Sequence, residues 1–201
     1  ANHIGRIHTA IVRAQNRDLK IYPVLDGAYI TAEKRAPMLE ALNSIFRTCA
    51  EYFASQEDYE RRFLIRGGLA FGPVIHGADI SKDCNRDLGE NKQYRDNLLL
   101  GMPMVQSNRA EGSAPPFGIF IDESARAFSA SNTKPLSGLF YKWWNNDLPT
   151  GFAARLEEHF RWASSNSFSI GYPVAKAKEH EEMARQYFNG AQSDSTETSD
   201  N

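Results

Sequence analysis

Cysteine is nearly absent: the 201 residues include only Cys49 and Cys84. The two are far apart and form no CxxC pair, which argues against a disulfide framework or a cysteine zinc site and fits a reducing cytosol. Long apolar runs are missing too. Nothing approaches the ~18 residues of a membrane span, and the N-terminus lacks the layout of a signal peptide, so a cytosolic protein with no membrane partner is expected. There is no excess of charge of one sign, since 23 basic and 25 acidic side chains leave a formal charge of -2. Nucleic-acid-binding domains usually carry a basic excess or stripe, so this balance argues against a polyanion partner. A nucleotide substrate needs only a local positive site. No internal repeat is present. What the chain does have is apolar content, 41% of its residues, and at this length that is enough to bury one substantial core.

Periodicity divides the chain into alternating elements. Ile7 to Asn16 reads as the end of a helix, and Ile21 to Leu25 is too short and too β-like to continue it. Asp26-Gly27 between two apolar runs predicts a hairpin, because these residues tolerate the positive φ of two-residue turns. Pro37 suits the first turn of a helix in which Leu39, Leu42, Ile45, Phe46, Cys49, Tyr52 and Phe53 recur at helical spacing. Arg66 to Val74 reads as a strand ending in the tight turn Gly72-Pro73. The polar stretch from Gly77 to Lys92 predicts a long loop. A Ser-, Asn- and Thr-rich connection is expected near 129–137, and Gly151 to Trp162 and Val174 to Phe188 read as helices. Ala191 to Asn201 has no apolar anchor and reads as a disordered tail, leaving one domain over 1–190. This order predicts an α+β fold, an antiparallel sheet covered by helices.

One series of motifs is more specific. Arg66-Gly67-Gly68-Leu69-Ala70-Phe71-Gly72-Pro73-Val74, followed by Gly101, Arg109 and Glu111, resembles the central strand, turn and following helix of the class III nucleotidyl cyclases. Leu19 to Ile30 resembles that family's strand-turn-strand with an aspartate at its tip. Asn97-Leu98-Leu99-Leu100-Gly101 resembles the next strand and helix start, and Ala114 to Ser124 the return to a strand with an acidic, helix-starting turn. The resemblance covers roughly residues 19 to 128. Within the family the chain looks most like the bacterial Pycsar pyrimidine cyclases of antiphage defence, a narrower match to which Trp143-Trp144, Tyr172-Pro173, Lys176, His180 and Tyr187-Phe188 contribute.

The resemblance implies a ferredoxin-like βαββαβ sandwich with extra C-terminal helices. It also implies an enzyme closing UTP or CTP into the 3′,5′-cyclic monophosphate, an alarm signal, with release of pyrophosphate. In that chemistry negative charge builds at both ends of the displacement at the α-phosphorus. Two divalent ions held by carboxylates stabilise it, and a guanidinium aimed at the phosphoryl oxygens adds several donors fixed in a plane. Asp26 is the implied ligand of a two-metal Mn²⁺ or Mg²⁺ site, and Arg109 the implied catalytic arginine. The family's sites are shared across a head-to-tail homodimer, so a monomer is expected to be inactive. The opening strand that carries the other metal aspartate has no match before Asp26. Either it lies before Ala1 or the chain is a degenerate homologue.

Other positions depart from the adenylyl and guanylyl cyclase pattern. Val105 stands where those enzymes place a ribose-orienting asparagine. Tyr22 stands where the adenylyl cyclases place a base-reading lysine, and Leu98 or Asn97 where its aspartate partner falls. A tyrosine and an apolar residue do not reproduce the donor and acceptor that adenine needs, whereas a pyrimidine can meet Tyr22 through its hydroxyl or ring. Uracil and cytosine both remain open. Arg66 is read as structural, pairing with a carboxylate. Lys142, Lys176 and Lys178 are candidates for the triphosphate or members of solvated helix faces, and His76 reads as a satisfied loop residue rather than a metal ligand. Two other functions stay open: a non-catalytic cyclase homologue that binds nucleotide or a partner, and a ferredoxin-like RNA or protein module using Phe140, Tyr141, Trp143 and Trp144 as a stacking platform.

Overall fold

Two amphipathic helices, α1 (Asn2–Ala14) and α2 (Arg35–Ser55), pack against each other and flank a hairpin of β1 (Leu19–Val24) and β2 (Gly27–Ala32). The structure is a computed structural model and describes residues 2–81, 86–127, 136, 138–144 and 147–189. Cys84, the expected tail at 191–201 and most of the expected connection at 129–137 lie outside the described residues. Pro37 falls in the first turn of α2, where its missing amide costs nothing. From there Ala41, Ile45, Phe46, Cys49, Ala50 and Phe53 present one buried stripe. The hairpin forms where expected, but its tip differs. Val24 pairs with Gly27, so the loop residues are Leu25 and Asp26, and neither Asp26 nor Gly27 takes a positive φ. The Asp-Gly turn chemistry is not used.

The second half builds a three-stranded sheet of β3 (Gly67–Leu69), β6 (Ile119–Ile121) and β7 (Phe140–Tyr141), with β6 in the middle. β3 and β6 run parallel, and β6 and β7 antiparallel. The crossover between the parallel strands contains β4 (Ile75–His76), α3 (Arg86–Glu90), α4 (Lys92–Asp96), β5 (Leu99–Leu100) and α5 (Met102–Ser113). α6 (Glu123–Ala127) follows β6. The chain ends in α7 (Phe152–Ser165), α8 (Ser167–Ile170) and α9 (Val174–Asn189), with α7 packed on α9. The architecture is therefore α+β, but the described strands form three small sheets instead of one antiparallel sheet. A parallel pair needs a long crossover, and α5 lies across β3 and β6 to supply it.

The described residues of the expected loop from Gly77 to Lys92 hold more regular structure than their polarity suggests. It contains a short 3₁₀ turn, Gly77–Asp79, and helix α3, and α4 begins at its end. Local side chains do this: Arg86 pairs with Glu90 at 3.0 Å, and the Asn91 side chain accepts the Tyr94 amide at 3.1 Å as an N-cap.

A single apolar cluster runs from Ala10 to Phe188. Its centre is aromatic, with Phe53 against Phe117 at 5.2 Å, Phe117 against Phe152 at 4.9 Å and Trp144 against Tyr187 at 4.7 Å, all edge to face. Tyr141, Trp143 and Trp144 are buried, and Trp143 Nε1 donates to the Phe117 carbonyl at 2.7 Å. The stacking platform expected of these aromatics is thus corrected. Of the four only Phe140 reaches solvent, because burying two indoles in this core is worth more than leaving them wet.

α5 lies so close to β3 that only glycine fits at position 68. A Cβ there would come within 1.9 Å of the Ser107 carbonyl oxygen and 2.5 Å of the Glu111 nitrogen. Gly68→Ala must push the helix off the strand and should cost about 1–3 kcal/mol, read as a lowered urea midpoint at unchanged slope. An unchanged midpoint would show that the contact is slack.

Candidate functional site

Glycines place the residues of the cyclase-like motif. Gly72 has φ of 155° with Pro103 beside it, and Gly101 has φ of 148° with the Pro73 carbonyl and Val74 beside it. Both are conformations that side-chain-bearing residues rarely adopt. The Gly72-Pro73 turn and the start of α5 are therefore seated on each other. α5 then turns Pro103 and Ala110 inward and leaves Arg109 exposed.

The motif's two arginines have different fates. Arg66 Nε binds Glu111 at 2.9 Å and its Nη1 reaches the Gly112 carbonyl at 3.5 Å, so Arg66 ties β3 to the last turn of α5, the structural role expected of it. Arg109 makes no side-chain hydrogen bond or ion pair with the described residues, and Glu111 is already taken. Asp26 sits exposed on the hairpin tip beside Leu25, itself 93% exposed, and its carboxylate is likewise unpaired among the described residues. No interaction joins Asp26 to Arg109. Among the described residues no cluster of three His, Cys, Asp or Glu side chains is disposed to hold a metal ion. Asp26 alone is less than the carboxylate set that two ions require.

The base-reading candidates fall into two neighbouring places. Asn97 and Leu98 line an open depression of about 420 Å³ together with Asn91, Gln93 and Tyr94. Tyr22 is not part of that lining. Its hydroxyl meets His76 Nδ1 at 2.6 Å, with the two rings inclined by only 17°. Next to it Lys20 pairs with Asp79 at 3.7 Å, so β1 is linked twice to β4 and the 3₁₀ turn after it. Burial, and then the Asp79 charge, push the Tyr22 phenol above its ordinary value. It therefore keeps its proton at neutral pH. His76 pairs with Leu99 across β4 and β5, and the Gly77 amide donates to the Leu98 carbonyl at 2.8 Å. Tyr22 and Leu98 are thus joined through His76 and Gly77.

His76 is satisfied, as expected, but it lies on a strand and not in a loop. Its partnership with Tyr22 spans 54 positions of sequence, and no local pattern announces it. Of the lysines considered for a triphosphate, Lys176 pairs with Glu179 at 3.1 Å, while Lys142 and Lys178 are solvent-exposed.

The end of β6 is secured by Asp122. Its carboxylate accepts the Ser124 hydroxyl at 2.6 Å and the Ser124 amide at 2.9 Å, while Ser124 Oγ accepts the Phe71 amide at 3.1 Å. The Asp122 amide donates to the Leu69 carbonyl at 2.8 Å. Together these bonds hold the Ala70–Gly72 turn against the start of α6. Burial raises the Asp122 carboxyl, but the Ser124 bonds and the Arg126 charge outweigh it and hold the group below the usual carboxylate range.

No protein-family model matches the chain, and neither does any curated protein or solved structure compared with it.

A depressed carboxyl contributes stability that is fully present above its unfolded value, near 4, and is lost as pH falls through the lower folded value. Asp122→Ala should therefore cost about 0.5–2 kcal/mol at pH 7 in urea unfolding, and the gap from wild type should narrow as pH falls below about 4. A gap that stayed constant with pH would remove the carboxylate from the account.

Proposed function

We propose that the chain is a pyrimidine nucleotide cyclase of the class III kind, with a ferredoxin-like arrangement, acting as a homodimer on UTP or CTP in bacterial antiphage signalling. The observation that carries this reading is the contrast between the motif's arginines. Arg66 is used up by Glu111, and Arg109 stands exposed without a partner, eight residues after the Gly101 that starts its helix. An arginine that stabilises transferring phosphoryl oxygens must keep its donors available in this way. The 3′ oxygen of the ribose loses its proton and bonds to the α-phosphorus as the bond to the departing pyrophosphate breaks. In this reading Arg109 meets the charge that grows on the α-phosphoryl oxygens.

Divalent ions, when bound, would supply further neutralisation, with Asp26 as the ligand on this chain. The described residues do not form a two-ion centre by themselves. Cross-chain completion is supported by the apolar surface around the same turn, where Ile75 and Leu100 form a cross-strand pair and both are exposed, as are Met102 and Val105. Exposed apolar groups gathered in this way favour burial by a second copy. A second reading, a cyclase-like domain that binds nucleotide without turnover, is favoured by the isolation of Asp26 and by Val105 in the ribose-orienting place.

Two variants test the proposal. Arg109→Ala should lower cyclisation by about 10²–10³-fold while leaving nucleotide binding largely intact, and Asp26→Ala should abolish metal-dependent turnover. Mixing the two inactive variants should restore part of the activity if each site draws on both chains. No rescue despite demonstrated mixed dimers would contradict the shared site.

A further inference from the structure

We propose that two neutral histidines, His159 and His180, hold the C-terminal helices α7 and α9 on the core, each facing an arginine of the segment that leads into β3, and that acid releases these helices. Neither imidazole takes part in the proposed nucleotide site. His159, on α7, is 6% exposed and is walled by the rings of Phe53 at 5.5 Å, Phe160 at 5.9 Å and Trp162 at 5.7 Å. Its Nδ1 is buried with no hydrogen-bond partner among the described residues. The charge that faces it is a cation: Arg62, whose side chain is fully buried, lies 5.6 Å from the same Phe53 ring and 4.3 Å from the Tyr59 ring. The nearby carboxylate of Glu158 goes to Arg62 at 3.7 Å and to Arg155 at 3.2 Å. A proton on His159 would therefore be a second buried charge of the same sign, with no anion of its own.

His180, on α9, is 9% exposed, and its Nδ1 shares a hydrogen bond with the Tyr172 hydroxyl at 2.5 Å. Lys176 and Arg66 oppose a proton there and Glu179 favours one, but Glu179 is itself paired with Lys176 at 3.1 Å. Burial, and then these cations, push His180 below its ordinary value; burial, and then Arg62, bring His159 down to about 4. A histidine lowered on folding contributes stability that is fully present above its unfolded value, near 6.5, and is lost as pH falls toward the folded one. Both histidines thus act in the same direction over the same range. What they hold shut is aromatic: α9 carries Tyr187 and Phe188 against Trp144, and α7 carries Phe152 against Phe117. α2 also packs on α1 and β2, so it has support that the release leaves in place.

The test is amide hydrogen exchange of the full chain at pH 7.5 and pH 5, corrected for the intrinsic pH dependence of exchange, together with urea unfolding over the same range. At pH 5 the amides of α7 and α9 should lose protection while those of α2 keep it. His159→Phe keeps a ring in place and cannot take a proton. Relative to that variant, the wild-type unfolding constant should rise about thirtyfold between pH 7.5 and pH 5, and α7 of the variant should stay protected. His180→Gln, uncharged and still able to bond the Tyr172 hydroxyl, should spare part of the protection of α9. If His159→Phe does not fold, His159→Gln supplies the same comparison. A ratio between wild type and the His159 variant that does not change with pH, or equal loss of protection in α2, α7 and α9, would overturn the inference.

Discussion

The contact between α5 and β3 at Gly68 is the constraint on which the second half of the molecule depends. A helix can approach a strand closely enough for its backbone to occupy the place of a Cβ only where none exists, and this approach lets α5 bridge the parallel strands β3 and β6. The contact is reinforced at both ends of the helix. Gly72 and Gly101 seat the Gly72-Pro73 turn against the N-terminus of α5, and Arg66 to Glu111 clamps the C-terminal turn. With its inner face committed, the helix has its outer face left for Arg109. The exposure of Arg109 is thus a product of packing and not of chance.

Partners likewise separate the charged groups that hold the fold from those left without one. Arg62 is buried between the Phe53 and Tyr59 rings and bonds to the carbonyls of Gln56 and Arg155. Asp122 is engaged by the Ser124 hydroxyl and amide. Lys20 and Asp79 satisfy each other. Asp26 and Arg109 are among the charged groups that have no partner among the described residues, one on a hairpin tip and one on a helix face. Tyr22 and His76 form a polar pair that links the hairpin to β4.

Much of the fold was legible in the sequence where periodicity was long. The stripe from Leu39 to Phe53 reads directly as α2, and Gly151 to Trp162 and Val174 to Phe188 as α7 and α9, because several turns of one apolar face leave few alternatives. The hairpin was legible in existence but not in detail, since register placed Leu25 and Asp26 at the tip where Asp-Gly chemistry pointed one residue later. Short strands of two or three residues carry too little pattern to reveal their partners, so the parallel pairing of β3 with β6 and the division into three sheets were hidden. The polar stretch after Gly77 was misread because capping by Asn91 and close ion pairs make helix without an apolar face. Of the candidate site, Arg109, Arg66 and Asp26 were picked out by resemblance to a family's motifs and not by their own residue pattern. The Tyr22–His76 bond was not legible, because a contact across 54 residues is a property of the tertiary fold.

The proposed cyclase activity is decided by its product. The full-length protein is incubated separately with ATP, GTP, CTP and UTP in Mn²⁺, and 3′,5′-cyclic monophosphates are sought by mass spectrometry. A cyclic pyrimidine nucleotide is expected, with release of pyrophosphate. A folded, dimeric protein that yields no cyclic nucleotide from any of the four would contradict it.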